Sequence, residues 1–160
     1  HLAWIGDSFN VSNSLMIAAC LLEHKMTMAT PENYQPSDDI WKICESINPN
    51  AKEQSKVIRE PKTAAKEADV LYTDIWVSMG MESDTVQREV DFAPYQINAE
   101  LLASAPDHAF VLHDMPAKRG KEITSDVLDG PRCAAFQQAQ NRMHAIKSIL
   151  CWCLEVDVVA

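Results

Sequence analysis

The sequence predicts an α/β fold, a Rossmann-like three-layer sandwich with a mainly parallel sheet flanked by helices. Short apolar stretches alternate along the chain with segments whose apolar residues recur at helical spacing. Turn residues separate the two kinds of segment. This alternation is typical of strands that pair in parallel and are covered by helices on both faces. At 160 residues, the chain has the length of one domain that can bury its own core.

Six strands are predicted, each from a short run rich in apolar residues that polar or turn residues bound. In chain order they are residues 2–6 (LAWIG), 25–30 (KMTMAT), 56–58 (KVI), 68–74 (ADVLYTD), 108–114 (HAFVLHD) and 133–136 (CAAF). A turn at residues 31–36 and two loops, 75–84 and 115–123, follow the strands. These loops are the longest polar segments of the chain.

Seven helices are predicted between and after the strands, from helical spacing and from capping residues. In chain order they are residues 11–24, 38–48, 61–68, 85–92, 99–104, 125–128 and 137–154. The first carries apolar residues such as Leu15 and Leu22 at helical spacing. Ser37 and Asn98 stand at cap positions, and Pro61 suits the first turn of a helix.

The overall charge excludes two classes of partner. The formal net charge is −9 and the isoelectric point is near 4.9, which argues against nucleic acid and against an anionic membrane surface. No apolar run reaches the length that a bilayer requires. The first residue is His1 rather than Met, so we expect the chain to be a piece of a longer protein.

The cysteines indicate a reducing compartment and no metal centre. Their number is odd, no pair forms C-x-x-C, and all lie in apolar or helical contexts, which favours buried free thiols and a cytoplasmic location. They are Cys20, Cys44, Cys133, Cys151 and Cys153. There is no H-E-x-x-H motif, and the other His and Cys spacings do not form a metal-ligand set. We therefore expect neither a metal nor an organic cofactor.

Polar residues follow four of the predicted strands, after Ile5, Thr73, Leu112 and Phe136. In open parallel sheets, ligands bind outside the carboxyl ends of the strands. The sequence therefore predicts one site that gathers these residues. No G-x-G-x-x-G, G-x-x-x-x-G-K or G-x-S-x-G motif is present, so phosphate cradles built on glycines and a hydrolase elbow are not predicted.

The first strand leads into Gly6-Asp7-Ser8 and the start of a helix. A helix N-terminus favours an anion such as a carboxylate. Asn10 can both donate and accept hydrogen bonds there. The alternative is that Ser8 or Asn10 only caps the helix.

The strand that ends at Asp74 leads into a loop that contains Ser78 and Gly80. A carboxylate directly after a strand can bind an ammonium group, and the loop can close over it. The alternative is that Asp74 only begins the loop, with Trp76 and Met79 packed inside.

The strand that ends at His113 and Asp114 leads into a loop with Lys118 and Arg119. The histidine can donate to an oxyanion. Lys118 and Arg119 are more consistent with a solvent-exposed loop surface. Arg142, in the first turns of the last helix, can reach the same rim and suits phosphate or carboxylate. Together these residues predict a metal-free site for a zwitterion and an anion.

Four of these segments, in this order, resemble motifs of the ornithine carbamoyltransferase family, in its C-terminal, ornithine-binding domain. WIGDSFNVSNSLMIAA (4–19) resembles W-x-G-D-x-x-N-x-x-x-S-L, and DIWVSMG (74–80) resembles D-x-W-x-S-M-G. HDMPAKRG (113–120) is similar to H-C-L-P-x-x-R-G, and QNRMHAIKSIL (140–150) to E-N-R followed by a distant Leu. The resemblance covers nearly the whole chain.

The resemblance implies roles for individual residues toward the amino acid L-ornithine. Asn10 would hold the α-carboxylate and Asp74 the α-ammonium. Ser78 and Met79 would close over the amino acid, and the main chain at Met115 would help to position the δ-amine.

The family reaction implies further roles. The δ-amine attacks carbamoyl phosphate, which yields L-citrulline and phosphate without a metal or cofactor. His113 and Arg142 would lie toward carbamoyl phosphate, and His113, Asp114 and Arg142 are the expected catalytic residues. The family's carbamoyl-phosphate domain carries S-x-R-T-R, which this chain lacks, and family members are homotrimers. The 160 residues are therefore expected to form one domain, the ornithine-binding half, inactive alone.

Within the matched segments, Asp114 departs from the family pattern, because it stands where the family has Cys. A carboxylate is normally charged near neutral pH and a thiol is not. Asp114 could hold the δ-ammonium in its protonated form, or it could relay the proton away. Two alternatives to the enzyme hypothesis stay open: a non-catalytic amino-acid-binding or regulatory module, and a carbamoyltransferase for another amine.

Overall fold

The computed structural model describes residues 1–156, so the last four residues of the predicted single domain lie outside it. It contains a five-stranded sheet in the order β3-β2-β1-β4-β5, and every pair of neighbours is parallel. The strands are β1 Leu2–Ile5, β2 Met26–Ala29, β3 Ser55–Ile58, β4 Val70–Thr73 and β5 Phe110–His113. The prediction of a mainly parallel α/β sheet is therefore confirmed.

In the part of the chain that the structure describes, eight α-helices accompany the sheet. They are α1 Asn10–Leu21, α2 Asp38–Ile47, α3 Ala51–Gln54, α4 Pro61–Ala65, α5 Thr85–Phe92, α6 Ala99–Ala103, α7 Ser125–Leu128 and α8 Ala135–Cys153. Short 3₁₀ turns occupy Glu32–Tyr34, Glu82–Asp84 and Ala93–Tyr95. The cap at Asn98 is as predicted, since its side chain accepts from the amide of Leu101 at 2.9 Å. Within residues 1–156, no helix is both long and apolar enough to cross a membrane.

Alternate residues of each strand supply two cores, one on each face of the sheet. On one face, Ala3 and Ile5 join a buried cluster that includes Phe92 and Ile97. On the other face, the buried cluster around Trp4 contains the following side chains: Met16, Ala19, Cys20, Met26, Met28, Cys44, Ala51 and Tyr72. The sheet is thus buried on both sides, as expected for a parallel sheet between two helical layers.

The predicted strand at residues 133–136 is wrong. Cys133 forms only an isolated bridge with Val111, and α8 begins at Ala135. The amide of Val111 donates to the carbonyl oxygen of Arg132, and the amide of Ala134 donates to the carbonyl oxygen of Val111. The segment therefore makes two backbone hydrogen bonds to the edge of β5. Ala has the highest helix propensity of all residues, and the chain then turns into the helix.

Gly130, which follows α7, is expected to resist substitution. A Cβ at this position would lie 2.7 Å from the carbonyl oxygen of Asp126 and 3.2 Å from that of Val127. Both atoms are backbone, so relief requires α7 to shift. We expect Gly130→Ala to lower the free energy of unfolding by about 1–3 kcal/mol, measured by urea denaturation. An unchanged midpoint and slope would contradict this.

Candidate functional site

The register of the sheet places the ends of its central strands side by side. Thr73 of β4 pairs with His113 of β5, and Tyr72 pairs with Trp4 of β1. Asp74 and Asp114, each one residue further along, therefore leave adjacent strands at the same level of the carboxyl edge. This confirms that the residues after β1, β4 and β5 share one edge of the sheet.

Asp74 and Asp114 form a pair of carboxylates beside His113. One potential ligand atom from each of the three residues lies within 4.8 Å of those of the other two. Burial, the negative charge of Asp74 and a hydrogen bond with Asp74 raise the pKa of Asp114 to about 6, against a smaller opposing effect of His113. Like charges this close cannot both ionise freely. The pair is therefore an acidic site that releases a proton near pH 6 and can take up a cation in its place.

His113 is completely buried, and both ring nitrogens are engaged inside the domain. The amide of Met115 donates to Nδ1 at 2.9 Å, so Nε2 carries the hydrogen and donates to Oε1 of Glu122 at 3.1 Å. Because both nitrogens are used, His113 is not available as a metal ligand, although two carboxylates and a histidine are a donor set that divalent metals use. The predicted direct contact of His113 with carbamoyl phosphate stays a prediction.

Glu122 is a buried partner that the sequence reasoning missed. It is fully enclosed, and its Oε1 also accepts from the amide of Lys118 at 2.5 Å. It therefore fixes both the histidine ring and the loop after β5. Met115 lies in this loop with a positive φ of 59°. Its amide donates to His113, and its carbonyl oxygen is the main-chain group that can accept from an amine.

The turn after β1 is held by the backbone of Asp7. The indole nitrogen of Trp4 and the hydroxyl of Ser12 donate to the carbonyl oxygen of Asp7, each at 2.9 Å. Ser8 donates to the side chain of Asn13 at 2.7 Å, which assigns these two residues to structure rather than to a ligand.

Asn10 is the first residue of α1 and is exposed. Its Oδ1 accepts from the amide of Val11 at 2.8 Å, and this orientation leaves the Nδ2 amide to donate to a carboxylate. Asn10 lines a narrow pocket between the β1 and β4 turns. Its walls are formed by Trp4, Asp7, Phe9, Asn10, Val11, Ser12, Asp74, Ile75 and Ser78.

The loop after β4 is anchored at its start and open at its tip. Asp74 accepts from the amide of Ile75 at 2.6 Å, and Trp76 is buried. Ser78 is half-buried and lines the pocket, whereas Met79 is 95% exposed. The alternative in which both Trp76 and Met79 pack inside is therefore wrong for Met79.

A buried ion pair beneath this loop was also missed. The guanidinium of Arg88, on α5, contacts the carboxylate of Asp7, and its Nε donates to the carbonyl oxygen of Trp76 at 2.5 Å. Burial raises the pKa of Asp7, and Arg88 opposes that effect. The position of Arg88 one turn before Phe92, on a core-facing helix surface, is a sequence signal that could have indicated a buried partner.

Arg142 is not in contact with the carboxylate pair. It is exposed on α8, and within residues 1–156 it has neither a hydrogen bond nor an ion pair. Four residues earlier on the same helix face, Gln138 accepts from the amide of His113 at 3.1 Å and donates to the hydroxyl of Tyr72 at 2.5 Å. Arg142 therefore projects from the side of α8 that meets the end of β5.

The fold and this edge site together define a small-molecule-binding domain of the open α/β class. The family described as aspartate/ornithine carbamoyltransferase, Asp/Orn binding domain, matches residues 1–153, and the chain belongs to this family. The ornithine carbamoyltransferase of Archaeoglobus fulgidus is 47% identical over 149 residues, which cover 93% of this chain and 47% of that protein. The chain spans about half the length of the curated relatives it matches.

Solved structures agree with this family. Ornithine carbamoyltransferase from Pyrococcus furiosus superposes with a TM-score of 0.85 at 39% identity, covering 94% of this chain and 48% of that one. The anabolic ornithine carbamoyltransferase of Campylobacter jejuni gives a TM-score of 0.88 at 32% identity, covering 94% and 50%. The expected membership in the ornithine carbamoyltransferase family, and in its amino-acid-binding domain, is confirmed.

Proposed function

We propose that this chain is the ornithine-binding half of an ornithine carbamoyltransferase, which converts carbamoyl phosphate and L-ornithine to L-citrulline and phosphate. The observation that carries the proposal is that Asp74 and Asn10 line the same narrow pocket. An anionic group and an amide donor in one pocket suit the α-ammonium and α-carboxylate of an amino acid. The relatives that match this chain are named ornithine carbamoyltransferases, which supports ornithine over aspartate as the substrate.

In the proposed reaction, the δ-ammonium group of ornithine loses a proton, and the resulting neutral amine attacks the carbamoyl carbon. A C–N bond forms, the C–O bond to phosphate breaks, and its electron pair leaves with the phosphate, which takes up the second proton that the nitrogen releases. Asp114 is close to where this proton must go, and the carbonyl oxygen of Met115 orients the amine. Ser78 and Met79, on the open loop, close over the amino acid. The chemistry depends on positioning and charge rather than on a protein nucleophile.

His113 acts in this proposal by holding Met115 through its amide, and Arg142 faces carbamoyl phosphate once the second half of the enzyme is in place. An apolar surface on α8 supports such a second half. Its exposed side chains are Phe136, Met143, Ile146, Ile149, Leu150, Trp152 and Leu154. We further propose that carbamoyl phosphate binds mainly to the missing half, that the whole enzyme is a homotrimer, and that it is cytoplasmic.

The proposal predicts that the 160-residue chain forms no citrulline on its own. When it is joined to the second half of an ornithine carbamoyltransferase, we expect it to form citrulline. The completed enzyme would join this chain to the half of the Archaeoglobus fulgidus protein that it does not match. The ureido group of the carbamoylated product, which is citrulline when ornithine is the acceptor, is measured colorimetrically with ornithine, putrescine or aspartate. We expect turnover with ornithine only.

Three outcomes would contradict this. Robust turnover by the chain alone would show that no second half is needed. A preference for putrescine, which lacks a carboxylate, would contradict the role of Asn10 and favour a carbamoyltransferase for another amine. Ornithine binding by the completed enzyme without any turnover would favour the non-catalytic binding module.

A further inference from the structure

Arg88 joins three separate loops at the carboxyl edge of the sheet. Its side chain is 6% exposed. It contacts the carboxylate of Asp7 after β1 and the carbonyl oxygen of Trp76 after β4. Its guanidinium also lies over the ring of Tyr34 after β2, 4.8 Å from the ring centroid, and over the ring of Phe92 at 5.2 Å. One cation thus holds the turns that follow β1, β2 and β4.

The two polar contacts of Arg88 are made to residues at the narrow pocket that Asn10 lines. Asp7 lines that pocket, and Trp76 stands midway in the sequence between Asp74 and Ser78, which also line it. Fixing the carbonyl of Trp76 therefore fixes the loop between its two pocket residues. Arg interacts with planar groups and carbonyls in ways that Lys does not reproduce, because its charge is spread over a rigid fork.

Arg88 also determines which carboxylate is available to a ligand. Asp7 and Asp74 both line the pocket, and two unpaired carboxylates there would repel each other. The contact with Arg88 neutralises Asp7, so that Asp74 remains the carboxylate that can accept an ammonium group. Without the guanidinium, Asp7 would be a nearly buried charge without its partner.

We propose that Arg88 is a positioning residue for amino-acid binding, which sets the position of the Asp74–Ser78 loop and neutralises Asp7. This inference rests on the proposed function, since it assigns the pocket to the amino-acid substrate. Arg88 does not touch the substrate in this scheme. Arg88 affects substrate binding through its contacts with Trp76 and Asp7. The substrate whose binding is affected is ornithine rather than carbamoyl phosphate.

The test is steady-state kinetics of Arg88→Lys and Arg88→Met in the completed enzyme. We expect the KM for ornithine to rise by about 10- to 100-fold, the scale expected when a binding group is displaced by up to an ångström. The KM for carbamoyl phosphate should stay within about twofold, because Arg88 contacts none of the groups assigned to it. The double variant Asp7→Asn with Arg88→Met should bind ornithine better than Arg88→Met alone, because it leaves no unpaired charge.

Arg132 offers a matched control, because it too is a partly buried arginine that binds backbone carbonyls. Its partners are Ala109 at 2.7 Å and Pro106 at 2.6 Å, near the amino end of β5 and away from the pocket. Arg132→Lys should lower the melting temperature without changing the KM for ornithine. If Arg88→Lys behaves like Arg132→Lys, Arg88 is merely structural and the inference is wrong.

The outcomes also separate this inference from the proposed function. If the unmodified completed enzyme turns over ornithine and the Arg88 variants have an unchanged KM for ornithine, only the inference about Arg88 is overturned. An unmodified completed enzyme that neither binds nor uses ornithine overturns both. If Arg88→Met does not fold, Arg88→Lys and Asp7→Asn decide the question, since each keeps the volume of the original side chain approximately.

Discussion

Asp74→Asn in the completed enzyme is expected to raise the KM for ornithine by about 30- to 1000-fold, which corresponds to about 2–4 kcal/mol for removing one partner of a desolvated charge pair. Asn keeps the shape of the side chain and the oxygen that accepts from the amide of Ile75. The substitution therefore removes the charge while it leaves the start of the loop in place. No other carboxylate of the pocket replaces it, because Asp7 is paired with Arg88.

A control for this prediction is Asp39→Asn, which removes an exposed carboxylate from α2 that is paired only with Lys42. It changes the net charge of the chain by the same amount, far from the pocket. Steady-state kinetics with both variants should separate a local effect from a general effect of charge. A KM for ornithine within threefold of the original in Asp74→Asn would remove Asp74 from the binding site.

Asp114→Asn is expected to stabilise the chain above neutral pH and to have little effect under acidic conditions. In the folded chain the pKa of Asp114 is about 6, whereas the ordinary pKa of an aspartate side chain is 3.8. The folded state therefore binds the proton more tightly than the unfolded state. The stabilisation from this proton is fully present below about pH 4 and is lost as the pH rises through 6.

The side-chain amide of Asn mimics the protonated carboxylic acid. Asp114→Asn therefore keeps at high pH the stabilisation that the original chain loses when Asp114 releases its proton. The expected gain at pH 8 is about 1–3 kcal/mol, since one pKa unit corresponds to about 1.4 kcal/mol. At pH 4 the two proteins should have nearly equal free energies of unfolding. Urea denaturation at pH 4, 6 and 8 measures this directly.

Asp107→Asn is the matched control, because Asp107 is exposed just before β5 and should give no such crossover. A stability difference between Asp114→Asn and the original chain that does not depend on pH would contradict the proton held at the carboxylate pair. In the completed enzyme, the same proton should appear as an apparent pKa in the pH dependence of kcat/KM for ornithine. That pKa should be absent in Asp114→Asn.

Much of the fold could be predicted because it depends on local sequence. Strands are short and apolar, helix starts carry recognisable caps such as Asn98, and a parallel sheet brings strand ends together by geometry alone. The proximity of Asp74 and Asp114 could be predicted for this reason, although they are forty positions apart. The strand at 133–136 failed because a four-residue apolar run does not distinguish a strand from the start of a helix.

Arg88 and Glu122 could not be predicted in the same way, because their roles depend on contacts across the chain. The position of Arg88 one turn before Phe92 indicates a core-facing side chain, but no local pattern identifies Asp7, 81 positions away, as its partner. Glu122 lies between Lys121 and Ile123 in a loop without periodicity, and nothing in its neighbours predicts that it is fully buried. The sequence could indicate where the strands end, whereas the ion pairs that hold those ends can be identified only from the folded structure.

The pairing of Thr73 with His113 has a consequence for how this site can change over evolutionary time. The interval between positions 74 and 114 is set by the hydrogen-bonded backbone of two neighbouring strands, about 4.8 Å apart. Side-chain chemistry at either position can therefore be exchanged without moving the other. During evolution, the side chain at position 114 can change between a thiol and a carboxylate, which alters its charge and acidity toward a substrate. The position of that side chain stays the same, because the backbone sets it.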